Sequence, residues 1–306
     1  MRAIIESDIP KIRKLLIDVL GQNDYRHIER MGGLTNHTYK VVLRDGGIYV
    51  VRLPGEGTEE LINRKDEKVS TQLACRLGID AKMLYFGENG EKVSCYIEQA
   101  QTMCASDFGS DSILKKAAEV FRLLHTSGED TGVSFDVFDM ATGYEKIIRD
   151  NAVPQFDGYA EMKEQIMQIR SYVETHSEVL CVPCHNDPLC ENWVLDNSGK
   201  LYLIDWEYAG MNDAMWDLAD VSVEAAFSEE QEEVFLKFYF GREPEQVEVI
   251  RFHANKLYLD FLWALWGKTR VPFEGEEMEQ YGQDRYARLK TNLNSFLLRF
   301  PVESAN

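Results

Sequence analysis

The chain has 306 residues, 44% of them hydrophobic, and carries 52 Asp and Glu against 33 Lys and Arg, a formal net charge of -19. That length buries a sizeable core and accommodates one large domain or two modest ones. The acidic balance excludes unspecific attraction to nucleic acid or anionic membrane surfaces and favours a cationic substrate, although solubility is an equally good reason for it.

Asp8 to Leu20 predicts a helix, with Ile9, Ile12, Leu16 and Val19 on one stripe, Asp8 as the cap, Pro10 in the first turn and Gly21 as the stop. Met1 to Leu20 places charges and a proline where the apolar core of an export signal would stand. The 6 cysteines form no evenly spaced framework, so a reducing, cytoplasmic setting is expected. No apolar run approaches the roughly 18 residues of a membrane span, and Leu257 to Gly267 is interrupted by Asp260.

Tyr25–Met31 and Thr38–Leu43 are strand patterns joined by Gly32-Gly33-Leu34-Thr35-Asn36-His37, and Asp45-Gly46-Gly47 turns into Ile48–Leu53. Taken alone, this is an ordinary glycine-bearing hairpin. Arg52 shares a strand face with Ile48 and Val50, a charge where an apolar side chain would pack. A helical segment from Glu59 to Leu77 carries several acids, Glu67 among them. Strands at Ala81–Phe86 and Lys92–Ile97 flank the Glu88-Asn89-Gly90 turn. Beyond Glu98-Gln99-Ala100-Gln101-Thr102 the pattern becomes helical, so residues 1–100 form the expected first domain and 101–306 the second.

Ser112 to His125 and Tyr159 to Val173 are amphipathic and read as core helices, with His125 as a hydrogen-bonded structural histidine. The central stretch is His185 to Asp217. Within it, Trp193-Val194-Leu195 and Leu201-Tyr202-Leu203-Ile204 straddle Asp196-Asn197-Ser198-Gly199, a hairpin that returns Asp205 towards Asn192. Magnesium takes one or two carboxylate or amide oxygens plus phosphate oxygens, and Asn192 and Asp205 supply such a pair. Asp187 precedes them across a Pro188 loop and is placed to accept the proton of an attacking hydroxyl. The order H-x-D, then N, then a hairpin and I-D matches phosphoryl transfer on the protein-kinase scheme.

Cys181-x-x-Cys184-His185 also spells a c-type haem attachment signature, but that chemistry needs export, and thiols on a buried strand leading into the loop are the expected reading. Ser228-x-x-Gln231 is a capping box. The helix from about Glu245 to Lys268 carries Trp263 and Trp266 three apart, on one face. With Tyr208 beside Asp205 and Tyr281 after the next loop, they are the materials of an aromatic cage for a quaternary ammonium, or of an aromatic core stripe.

The string I204-D-W-E-Y-A-G with W216-D-L-A, after H185-N-D-P-L-C-E-N, resembles the choline/ethanolamine kinases, especially their bacterial members, within the aminoglycoside phosphotransferase and protein-kinase-like superfamily. The resemblance extends from Gly32 to about Tyr286. It implies an α+β, two-lobe fold, with a small antiparallel sheet lobe and a larger helical lobe, ATP in the cleft between them, and Mg2+ on the phosphates. It implies catalytic roles for Asp187, Asn192 and Asp205, the last two holding the metal. It assigns the nucleotide to the Thr35–Asn36 loop, to Arg52 positioned by Glu67, and to the Glu98–Ala100 hinge. The protein-kinase scheme has a Lys where this chain has Arg52, an exchange that keeps the charge and alters the geometry of phosphate binding.

By the same resemblance, Tyr208, Trp263, Trp266 and Tyr281 form the acceptor site with Asp187, and choline is the expected acceptor, giving phosphocholine. Ethanolamine or an aminoglycoside stays open within enzymes, the acids of Glu229–Glu233 and Glu274–Glu279 keeping the latter in view. A choline-binding module without phosphoryl transfer is the alternative outside enzymes.

Overall fold

The computed structural model describes residues 3–31, 36–55 and 62–300. In chain order, helix α1 (Ile9–Leu20) leads into strands β1 (Tyr25–Arg30), β2 (Asn36–Leu43) and β3 (Ile48–Pro54), then α2 (Arg64–Leu77), β4 (Met83–Phe86), β5 (Lys92–Cys95) and β6 (Gln101–Thr102). Helices α3 (Asp111–His125), α4 (Val137–Asp150) and α5 (Tyr159–His176) come after them. Strands β7 (Cys181–Cys184), β8 (Trp193–Leu195), β9 (Leu201–Leu203) and β10 (Gly210–Asp213) are next, then α6 (Ala214–Glu224), α7 (Glu229–Phe240), α8 (Gln246–Glu274) and α9 (Glu276–Arg299).

These elements form two compact units, Met1–Cys104 with Cys190–Gly210, and Ala105–Leu189 with Met211–Asn306. The architecture is α+β: an antiparallel five-stranded sheet in order β1-β2-β3-β5-β4 dominates the first unit, and helices dominate the second. The hairpin β8–β9 joins the first unit because β6 pairs with β8, Gln101 opposite Leu195 and Thr102 opposite Val194. Among the described residues no helix is long and apolar enough to cross a membrane.

In the first unit Ile12 and Leu16 of α1 pack with Tyr39, Val41, Val51 and Val93 on one face of the sheet. Asp8 precedes α1 without capping it; its carboxylate instead accepts the Tyr39 hydroxyl at 2.6 Å and faces His37 Nδ1 at 2.8 Å, a buried tie from helix to sheet. Helix α2 starts at Arg64, where the Asn63 side chain accepts the Lys65 N–H at 3.1 Å. The segment from Glu59 to Leu61, read as part of this helix from its sequence, lies outside the described residues.

In the second unit α8 is the central helix, packed against α9, α6 and α4, with Leu259, Leu262 and Leu265 fully buried. It runs on to Glu274, past the end read at Lys268, and opens with a capping box between Glu245 and Glu248. The Ser228–Gln231 capping box opens α7 as its letters indicate.

Candidate active site

Strand β7 delivers the chain to His185–Asp187, and α6 holds that loop in place. Asp217, in the first turn of α6, accepts the backbone N–H of His185 through Oδ2 and of Asn186 through Oδ1, both at 2.8 Å. The Trp216 indole donates to the Asn186 carbonyl at 3.0 Å, and Asn212 donates to the Asn186 side-chain oxygen at 2.9 Å. Asn186 can therefore hold φ +66, a left-handed conformation that costs energy unless its surroundings enforce it. His125 lies between Asp217 at 2.9 Å and the Tyr239 hydroxyl at 2.9 Å, so both ring nitrogens are engaged. It supports the loop through Asp217, while Asp213 caps α6.

Asp187 itself is half-buried, and its charge reaches Tyr144, Tyr281 and Asp220. Cys184 is buried, with its thiol 3.6 Å from the Asn212 carbonyl, but β7 is buried only at its end, and Cys181 at its start is exposed, contrary to the expectation of a buried strand. A haem attachment site needs two accessible thiols, and burial denies one of them.

In the first unit, the β8–β9 hairpin aligns Trp193 with Leu203 and Leu195 with Leu201. The Asp196 carboxylate shapes its turn by accepting the Ser198 and Lys200 N–H groups, each at 2.8 Å. Because Ile204 N–H bonds the Asn192 carbonyl at 2.9 Å, Asn192 and the chain at Asp205 are neighbours. Asp205 has φ +70.

Around Asp205 stands a network of charge. Arg52 lies with Nη2 2.5 Å from Glu67 Oε1 and 3.0 Å from the Gly90 carbonyl; its Nη1 is 3.5 Å from Asp205 and 3.6 Å from Glu207. Arg64 bridges Glu67 at 2.8 Å and Glu207 at 2.6 Å, and Asn36 donates to Glu207 Oε1 at 2.8 Å. Oxygens of Glu67, Asp205 and Glu207 come within 4.8 Å of one another. Three carboxylates share two guanidinium groups at close range, and the Lys92 ammonium acts on Asp205 from further off. Burial and then Glu207 push Asp205 up to about 7; two-fifths of its side chain is exposed, which tempers the effect of desolvation. Burial alone would raise Glu207 too, but Arg52, Arg64 and Asn36 outweigh it and hold Glu207 below the usual carboxylate range.

This donor set fits a hard divalent cation, since only oxygens converge. Beside it is a cavity of about 150 Å³, walled by Val50, Ala81, Tyr96, Ile97, Ala100, Val194 and Ile204, with Arg52, Lys92, Asp80 and Asp205 as its polar lining. Such a volume takes a base-sized part of a ligand, small against the roughly 300–1,000 Å³ of a whole ligand pocket. Ala100 lines it, whereas the Glu98 side chain is exposed in the preceding turn. Asn36 is tied to Glu207, and Thr35 lies outside the described residues. A larger cavity of about 450 Å³ in the second unit, near Cys181 and Tyr258, includes none of the residues singled out by sequence as site residues.

The second unit brings three of the four cage aromatics together. Trp263 and Trp266 have centroids 6.0 Å apart at 88°, and Trp266 and Tyr281 5.8 Å apart at 77°. Tyr281 sits on α9, one turn before Arg285, rather than ahead of the helix. Tyr208 belongs to the first unit, next to Glu207. Arg285 donates to the Tyr281 hydroxyl at 3.1 Å and forms an ion pair with Glu224 at 2.6 Å. Between Asp217 and Glu224 on α6, Asp220 is fully buried with neither oxygen hydrogen-bonded; burial, then Glu224 and Asp187, push it well above the usual range.

Sequence reasoning missed Glu207, Arg64, Lys92, Asp80 and the Glu224–Arg285 pair. Lys92 offered one signal, since like Arg52 it is a charge on a short strand between sheet residues. Glu224 offered another, being two helical turns beyond Asp217 on the same face.

A sheet unit with a buried Arg–Glu pair, an aspartate loop braced from a following helix, and an oxygen cluster at a hairpin fit a phosphotransferase built on the protein-kinase-like fold. The chain belongs to the choline/ethanolamine kinase family, whose sequence model matches residues 28–290. Protein LicA of Haemophilus influenzae is 28% identical over 253 residues, 80% of this chain and 94% of that one. Choline kinase LicA from Streptococcus pneumoniae, a crystal structure, is similar at TM-score 0.82 and 32% identity, covering 95% of this chain and 100% of that chain. A crystal structure of LicA in complex with AMP is similar at TM-score 0.77 and 32% identity, covering 94% and 98% of the two chains. The chain is therefore a kinase acting on choline or ethanolamine.

Proposed function

We propose that the chain transfers the γ-phosphate of ATP, with Mg2+, to the hydroxyl of choline, giving phosphocholine. The observation that carries the choice of choline is the trio Trp263, Trp266 and Tyr281, whose rings stand nearly perpendicular at about 6 Å. A trimethylammonium has no N–H to donate and is held by ring faces, each good desolvated contact contributing on the order of 2 kcal/mol. Ethanolamine wants hydrogen-bond acceptors instead, and Glu224, a carboxylate whose charge reaches Tyr281, is already paired with Arg285.

In this reading Asp187 orients the acceptor hydroxyl and takes its proton, while the bracing by Asp217 keeps that carboxylate in one position. Asn192 and Asp205 hold the metal, and Arg52, fixed by Glu67, contributes positive charge beside the nucleotide. Ala100 and the Glu98 backbone face the base, and Asn36 stands on the phosphate side. Magnesium, when bound, neutralises charge on the phosphate oxygens, which a loose phosphoryl-transfer transition state spreads over the transferred group.

Support for ATP comes from the cavity beside Arg52 and Asp205, and from the AMP complex of a similar LicA. The test is ADP release coupled to a visible readout, with Mg2+, ATP and a panel of choline, ethanolamine and kanamycin. Turnover highest on choline supports the proposal. Higher kcat/KM on ethanolamine would move the acceptor assignment to the primary amine.

A further inference from the structure

Lys92 is the first residue of β5, and the β3–β5 register sets it directly opposite Arg52. Directly paired residues in an antiparallel ladder project to the same face, so the two cations stand side by side, and both line the same cavity. Their situations differ. Both terminal nitrogens of Arg52 are committed to Glu67, Gly90, Asp205 and Glu207. Lys92 is 9% exposed, yet its ammonium makes no hydrogen bond and no ion pair among the described residues.

The charges of Asp80 and Asp205 act on Lys92 through space, but neither carboxylate is in contact with its ammonium. Asp80, the acid closest in character to a partner, spends one carboxylate oxygen on the Ala81 N–H at 2.6 Å and stays beyond ion-pair contact with Lys92. A cation on a mostly buried side chain, with its head group uncommitted on the wall of a cavity, is arranged for an anion that arrives with a ligand.

We propose that Lys92 is the side chain that grips the phosphate chain of the nucleotide, with Arg52 serving as the positioning cation that holds Glu67, Asp205 and Glu207 in place. This rests on the nucleotide reading of the cavity. It divides between two residues the work that one strand lysine performs on the protein-kinase scheme: Arg52 keeps the bond to the helix glutamate, and Lys92 takes the phosphate. The exchange of Lys for Arg on β3 then makes sense, because a guanidinium fork can satisfy several carboxylates at once and an ammonium cannot.

The test measures Kd by calorimetry for ATP, ADP and adenosine, and KM for ATP and choline, on the wild type, Lys92→Met, Lys92→Arg and the double variant Lys92→Met/Asp80→Asn. Lys92→Met is expected to weaken ATP and ADP roughly tenfold to hundredfold, the loss of one charge-assisted hydrogen bond, while adenosine and choline change by less than about twofold. Lys92→Arg is expected to recover most of the loss. The double variant removes both buried charges and so guards against misfolding; it is expected to keep the phosphate-specific defect. Equal weakening of adenosine and ATP, no weakening of either, or wild-type ATP affinity in the double variant would overturn the assignment while leaving the nucleotide reading intact. A wild type that binds neither ATP nor ADP would overturn both.

Discussion

Arg52 and Glu67 form a buried ion pair of 2.5 Å that joins the central sheet strand to α2, and Arg64 attaches to the same carboxylate from the opposite side at 2.8 Å. Glu67 is 1% exposed, so its removal leaves two guanidinium groups without their shared anion. Glu67→Gln is expected to cost about 3 kcal/mol of unfolding free energy in urea, the scale of breaking one side of a buried pair. A loss below about 1 kcal/mol would mean that Glu207 alone satisfies both arginines.

Asp187 is assigned the proton of the acceptor. Asp187→Ala is expected to lower kcat by roughly 10²–10⁴-fold with little change in the Kd for ATP. Steady-state rates with calorimetric nucleotide binding check this, and unchanged kcat removes Asp187 as the base.

Asp217 uses both carboxylate oxygens on the loop, and one of them also meets His125. Asp217→Asn keeps the shape but replaces one acceptor by an N–H₂ donor facing another donor. The expected cost is about 1–3 kcal/mol in stability, with kcat reduced more than either KM because the loop loses its fixed geometry. A change in stability alone would separate folding of the loop from its use.

The aromatic trio predicts a split between substrates. Trp266→Ala is expected to raise the KM for choline about thirtyfold, equivalent to roughly 2 kcal/mol, and to leave the KM for ATP unchanged. Trp263 is 5% exposed and supports the core as well, so Trp263→Phe is the cleaner companion variant. Equal effects on both substrates would mark the trio as packing only.

Asp205 gives a pH dependence whose sign follows from linkage. Its value is about 7 in the folded chain, against about 3.9 when unfolded. The stability it contributes is full below about pH 4 and is lost as pH rises through about 7, because the folded chain retains a proton that the unfolded chain has released. A bound cation competes with that proton. Mn2+ affinity, read by electron paramagnetic resonance without nucleotide, is therefore expected to rise as pH climbs towards about 7, by up to about tenfold per unit, and then to level. Affinity flat from about pH 5.5 to 8 would exclude Asp205 as the ligand.

Much of this site was readable because its parts are close in the chain. Asp187, Asn192 and Asp205 lie in one stretch, and the Asp196–Gly199 turn sets the hairpin that makes Asn192 and Ile204 neighbours. Helix α7 was readable from Ser228 and Gln231 because a capping box is a local bond. The relation of Arg52 to Lys92 was not readable, since it depends on the register of two strands separated by α2 and β4, and no local preference encodes that. Asp8 misled for the same reason: its letters suit a cap, but a buried tyrosine hydroxyl from β2 outcompetes the helix N–H groups. Glu224 and Arg285 come from different helices, α6 and α9, whose packing decides that they meet.

The most direct measurement is a single reaction with equal choline and ethanolamine, Mg2+ and limiting ATP, followed by ³¹P NMR. The expected spectrum shows phosphocholine growing as ATP becomes ADP, ahead of phosphoethanolamine, with both products absent in Asp205→Asn. Phosphoethanolamine as the main product, or inorganic phosphate released without either ester, would contradict choline phosphorylation at this site.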